Sequence, residues 1–151
     1  MALKEQISND MKTALLGGNR FEGDTLRNLK AAILNEEVAQ NKRDTGLEDS
    51  EIESIIAREV KKRRESISMF EANGRPELAE SEKAEIAVIE TYLPQQMNEA
   101  ELKALIEAKV AELGVSGPQG MGQVIGAVKA QVGNAADGAM IARLTKDALN
   151  K

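Results

Sequence analysis

The sequence predicts an all-α protein, a four-helix N-terminal domain followed by a small three-helix C-terminal tail domain, and three observations carry that prediction. Apolar residues recur at helical spacing along most of the 151 residues. No segment sustains the period-two alternation of a half-buried strand. Pro94 separates a charge-rich stretch from one with few charges and a cluster of glycines. Proline lacks an N–H and disfavours helical geometry at the residue before it, so the helix running into Tyr92 should stop at Leu93. Asn98 then offers a side-chain oxygen to a new helix, and Glu101 three residues on completes a capping signature. The boundaries follow: a domain over 1–93, a joint over 94–98 and a tail over 99–151.

The first helix is read from Leu3, Ile7, Met11 and Leu15, with Gly17-Gly18 ending the pattern. Asp24 or Thr25 is expected to cap a second helix whose inward face takes Leu26, Leu29, Ile33 and either Leu34 or Val38. Leu47 precedes the acidic first turn of a third helix over about 49–73, whose apolar line is Ile52, Ile56, Val60, Ile67 and Phe70. Asn73-Gly74-Arg75-Pro76 stops it, and Leu78, Ile86, Ile89 and Leu93 give a fourth helix that returns as an antiparallel hairpin.

Beyond the joint, Leu102, Leu105, Ile106, Val110 and Leu113 define a fifth helix closed by Gly114. A sixth carries Val124, Ile125, Val128 and Val132, with Gly122 and Gly126 one turn apart; their expected use is close approach of a neighbouring backbone. Asp137 is expected to cap a last helix bearing Ile141, Leu144 and Leu149.

With 42% hydrophobic and 30% charged residues, the chain can bury a core. It has no Cys and no His, which excludes disulfides and thiolate chemistry and removes the commonest general base and the usual zinc ligands. No metal and no cofactor is expected. No stretch reaches the roughly 20 apolar residues of a membrane span, and the N-terminus lacks the apolar core of a signal peptide, so the expectation is a cytoplasmic protein with no membrane partner. The net charge of -5 is uneven: residues 1–93 hold 14 Lys and Arg against 19 Asp and Glu, while 94–151 hold 6 of each. An acidic chain that binds RNA must do so through a local patch.

Arg58, Lys61, Lys62, Arg63 and Arg64 form a basic run, but helical spacing fans them around the cylinder among Glu59 and Glu65. An ordinary solvated face with ion pairs one turn apart is the plainer reading, and a phosphate-binding stripe through Arg58, Lys61, Lys62 and Arg64 is the second. The chain holds only Phe21, Phe70 and Tyr92 for base stacking. From Gly120 the glycine spacing is G-x-G-x-x-x-G with no Gly-Lys-Ser/Thr following, which does not make a nucleotide loop. The carboxylates are spread along helix faces, and no Ser-Ser-Lys arrangement of the amidase kind occurs, so no catalytic constellation is present.

Lys61-Lys62-Arg63, Phe70-Glu71, Asn73-Gly74-Arg75-Pro76-Glu77-Leu78-Ala79-Glu80, Tyr92-Leu93-Pro94-Gln95-Gln96-Met97, Met121-Gly122-Gln123-Val124 and Ala136-Asp137-Gly138 follow one another at spacings that together resemble the GatB/YqeY family. The resemblance covers essentially the whole chain. It implies a free-standing protein similar to the helical and tail portions of the B subunit of the glutamine-dependent aspartyl/glutamyl-tRNA amidotransferase. In that enzyme the tail recognises tRNA and the catalytic sites lie elsewhere. The family label would be carbon–nitrogen ligase with glutamine as amido-N-donor, an activity for which these residues provide no site. One departure stands out: where the family has Gly, a basic residue and Ala-Asp-Gly, Gly133-Asn134-Ala135-Ala136-Asp137-Gly138 has one extra residue and Ala135 directly before Ala-Asp.

Two functions stay open on this reading. One is a tRNA-binding accessory module acting through Lys129, Asp137, Gly138, Arg143 and Lys146 in the tail. The other is a protein-interaction module that docks an amidotransferase or an aminoacyl-tRNA synthetase.

Overall fold

The computed structural model describes residues 2–150, and helix is the only regular secondary structure among them. Its helices are α1 (Leu3–Leu16), α2 (Arg20–Ala39), α3 (Asp49–Ala72), α4 (Pro76–Ile89), α5 (Glu99–Leu113), α6 (Met121–Val132) and α7 (Gly138–Leu149). Short 3₁₀ turns follow α4, precede α6 and follow α6. The chain divides after Leu93 into two compact units.

In the first unit α1 packs on α2, α3 packs on α4, and α2 also meets α4 and α3. Leu3, Ile7, Leu26, Leu29, Ile33, Ile52, Ile56, Ile86 and Ile89 share one buried cluster. Glu71 meets Lys83 near the α3–α4 turn and Arg63 meets Glu85 farther from it, the register of an antiparallel hairpin. In the second unit α5, α6 and α7 enclose Leu102, Ile106, Val124, Val128, Ile141 and Leu144.

Local signals set several helix ends. Gly17 closes α1. Pro76 opens α4 at its first turn, where a missing N–H costs nothing. Leu93 is extended at ψ 152° ahead of Pro94, as the proline ring requires. The Asn98 side chain accepts from Glu101 N at 2.8 Å, and Gly114 ends α5 in the left-handed conformation at φ 64°.

Other ends differ from the sequence expectation. The second helix starts one turn earlier than Asp24, because Asn19 accepts from Glu22 N at 3.2 Å; Thr25 lies inside the helix and donates back to Phe21 O. The α4 helix gives way to a 3₁₀ turn at Glu90–Tyr92 before the proline. The first N–H of α1, at Leu3, is met by Asp49 Oδ1 at 3.0 Å from the start of α3, a cap supplied through tertiary structure.

The inward face of α2 is also corrected. Leu34 and Val38 are exposed, and Glu37 is buried at 1% exposure instead. Lys4 Nζ reaches both Glu37 oxygens, at 2.9 and 2.8 Å, so the carboxylate enters the core already paired. The loop after α2 closes over this pair: Lys42 N donates to Glu37 O at 2.7 Å.

Candidate functional site

The tail residues named from sequence are only partly brought together. Lys129 sits in the last turn of α6, and a methyl group added at Gly138 would stand 3.8 Å from its ammonium, so this cation lies over the first residue of α7. Asp137 holds the N-cap position but makes no side-chain bond to the α7 amides, contrary to the capping expected of it. It is exposed, and Ile141 N bonds to its carbonyl. The three preceding amides of α7, at Gly138, Ala139 and Met140, have no helical partner by construction.

Arg143 is engaged elsewhere: its Nη2 lies 2.9 Å from Glu99 Oε1, tying α7 to the start of α5. Lys146 is in the last turn of α7. Eight residues at the helical rise place it about 12 Å along the axis from Gly138. There it borders a small cleft of about 70 Å³ lined by Pro118, Met121, Leu149 and Asn150. Lys129, Asp137 and Gly138 therefore form one corner, and Arg143 and Lys146 stand apart from it.

The loop entering α7 is held by its own backbone. Ala135 O accepts from Met97 N at 2.8 Å, and Asn134 O accepts from Gln96 Nε2 at 2.8 Å. Gly133, at φ 55°, makes the turn that brings the chain round. The position where the resemblance implied a cation, Ala135, is thus fixed next to the α7 N-terminus but carries only a methyl.

Gly122 and Gly126 do not serve the backbone approach expected of them. Both are exposed, and a Cβ at either would meet nothing within 4 Å beyond its chain neighbours and the backbone of its own helix. Val124 and Val128 on the opposite side of α6 are fully buried. At 100° per residue Gly122, Gly126 and Lys129 fall on one outward face, with Ala130 at its edge. That face is a strip of nearly bare backbone ending at Lys129 and the start of α7, and sequence reasoning missed it by assigning the glycines to packing.

The basic run is split between ion pairs and open surface. Arg58 lies 3.7 Å from Glu36, and Lys62 lies 3.2 Å from Glu59. Arg63 is drawn inward to Glu59, Glu82 and Glu85. Lys61 and Arg64 remain exposed, with no ion pair among the described residues. A groove of about 180 Å³ between α2 and α3 is lined by Glu36, Gln40, Glu51, Ser54, Ile55 and Arg58. Its charges are internally met: Lys42 Nζ lies 3.1 Å from Glu51 and, as the larger cause, holds that carboxyl below its usual range.

Among the described residues no group of His, Cys, Asp or Glu could hold a metal ion, and no helix is long and apolar enough to cross a membrane. A family model described as Yqey-like protein matches residues 4–149. The chain belongs to the Yqey-like family.

Curated relatives of this Yqey-like chain include proteins named altered inheritance of mitochondria protein 41, mitochondrial. The protein from Lachancea thermotolerans is 30% identical over 114 residues, 74% of this chain and 60% of that protein. The one from Eremothecium gossypii is 34% identical over 87 residues, 58% of this chain and 46% of that protein. The Saccharomyces cerevisiae protein of strain S288c is 26% identical over 96 residues, covering 64% and 51%. The Yqey-like chain thus spans roughly half the length of these relatives, which are themselves named as mitochondrial proteins.

Proposed function

We propose that this Yqey-like protein is a tRNA-binding accessory module without a catalytic site of its own, working in the cytoplasm beside an amidotransferase or aminoacyl-tRNA synthetase. We take residues 1–93 and 99–151 as two domains joined by 94–98, the tail making the RNA contact. The observation that carries this reading is the outward strip of α6. Gly122 and Gly126 present backbone without side chains, and the strip ends where Lys129 overhangs the free amides of α7. A phosphodiester backbone can approach such a surface closely and find a cation and N–H donors at its end. The resemblance to the amidotransferase B-subunit tail supports the same end of the molecule.

The Asp137 charge beside those amides opposes an anion, and Arg143 is occupied by Glu99. Affinity should therefore be modest and rest on few phosphates. A second reading, a protein-docking module, is favoured by Leu34 and Val38, exposed one turn apart on the solvent side of α2, and by Leu16 at 91% exposure.

Gel shifts with bulk tRNA at several salt concentrations separate the two. Binding should weaken with salt along a shallow slope, and Ala135→Arg should steepen that slope by about one phosphate contact. Gly126→Leu should remove binding while leaving the fold intact, since the position is exposed and its Cβ would point into open space. Loss of affinity from Lys61→Ala with Arg64→Ala, and none from Gly126→Leu or Lys129→Ala, would move the site to α3. No affinity in any variant leaves protein docking as the function.

A further inference from the structure

We infer that the cluster around Arg63 is an acid-tightened clasp on the α3–α4 hairpin, in which neutralising Glu82 fastens the two helices and neutralising Glu85 loosens them. Arg63 is 14% exposed and faces three carboxylates: Glu59 at 3.7 Å from its own helix, and Glu85 at 3.1 Å and Glu82 at 4.0 Å from α4. Its Nη1 also donates to Glu59 O at 3.2 Å. Lys62, at 3.2 Å from Glu59, is the other cation of the group. Three acids against two bases leave an anionic surplus in an interface where the carboxylates are only 13–25% exposed.

The surplus falls on Glu82. It has the longest contact to Arg63 and lies one turn from Glu85, whose carboxylate repels it. Burial first, and Glu85 second, push its carboxyl above the usual range, and Arg63 offsets only part of this. Among the described residues the cation that reaches Glu82 is Arg63, and a proton is the further relief open to it. Protonated, Glu82 becomes a donor that Glu85 can accept, while Glu85 keeps its bond to Arg63.

The sign follows from linkage. A carboxyl whose folded pKa is raised binds more protons folded than unfolded. Its contribution is fully favourable below the unfolded value and is lost as pH rises through the folded value. Acidification from neutral pH therefore stabilises the hairpin through this group.

Amide hydrogen exchange on the full chain, comparing variants at pH 7 and pH 4.5 so that intrinsic chemistry cancels at each pH, tests the clasp. Glu82→Gln should slow exchange across α3 and α4 several-fold at pH 7, and that gain over the parent should shrink at pH 4.5. Glu85→Gln, three residues away, should speed exchange at pH 7 because it takes the negative charge from the 3.1 Å contact to Arg63. Faster exchange or no change in Glu82→Gln at pH 7, or an equal gain at both pH values, overturns the inference. The Glu82 comparison decides it even if Glu85→Gln fails to fold.

Discussion

The two units are both built from helices, but they are fastened by different means. The first fastens its helices with polar contacts between residues far apart in sequence: Lys4 to Glu37, Asp49 to Leu3 N, Arg63 to Glu85, and Tyr92 OH to Asp10 Oδ2 at 2.6 Å. The second relies on a small apolar core, and its interhelix ion pair, Arg143 to Glu99, is solvent-exposed. Its buried Thr145 hydroxyl has no hydrogen-bond partner among the described residues. Charge spent on fastening is not available for recognition. In the first unit most of the basic run is neutralised within the molecule, whereas in the second Lys129, with no ion pair among the described residues, stands beside a helix start.

The comparison can be broken most forcefully at the cores. Ile56→Ala and Ile106→Ala each remove a fully buried side chain, at a cost of about 2–5 kcal/mol. If the units are separate domains, hydrogen exchange should show Ile106→Ala exposing α5–α7 while α1–α4 keep their protection. Loss of protection throughout the chain would mean a single cooperative unit. The shorter second unit has less core to lose and should suffer more.

A middle-sized effect is expected at Glu37. Lys4→Met leaves that carboxylate buried without its cation, and breaking a buried pair costs about 3 kcal/mol. Urea unfolding of the first unit should shift to markedly lower concentration, while the second unit's transition stays in place. Equal stability of Lys4→Met would show that polar fastening is not what distinguishes the first unit.

The smallest effect sharpens the comparison through pH. Tyr92 is the single tyrosine, and burial, then its bond to Asp10, raise its phenol well above the ordinary range. A raised acid pKa adds stability below the unfolded value near 10 that is lost only as pH rises beyond it. Phenolate absorption should therefore be absent at pH 10.5 and appear together with alkaline unfolding. Tyr92→Phe should cost about 1.5 kcal/mol, the low end for a hydrogen bond to a charged acceptor. Ordinary titration near pH 10 in the folded protein would remove Tyr92–Asp10 from the list of fastenings.

What the sequence determined by itself is what acts within a turn or two of helix. Pro94 sets Leu93 extended, Asn98 and Gly114 bound α5, Pro76 opens α4, and the 3.6-residue period identifies Ile7, Ile52, Ile106 and Ile141 as core. These effects are local sterics and hydrogen bonds, so the neighbours in sequence suffice. Tertiary structure decided which side of each helix meets a partner. Glu37 rather than Leu34 or Val38 turns inward because Lys4 arrives from α1 to meet it. The period of Gly122 and Gly126 was legible, but whether that face met a neighbour or water depended on how α6 rotates about Val124 and Val128. Likewise Lys129 reaches Gly138 only because the turn at Gly133 folds α7 back beside α6, a contact that spacing along the chain does not encode.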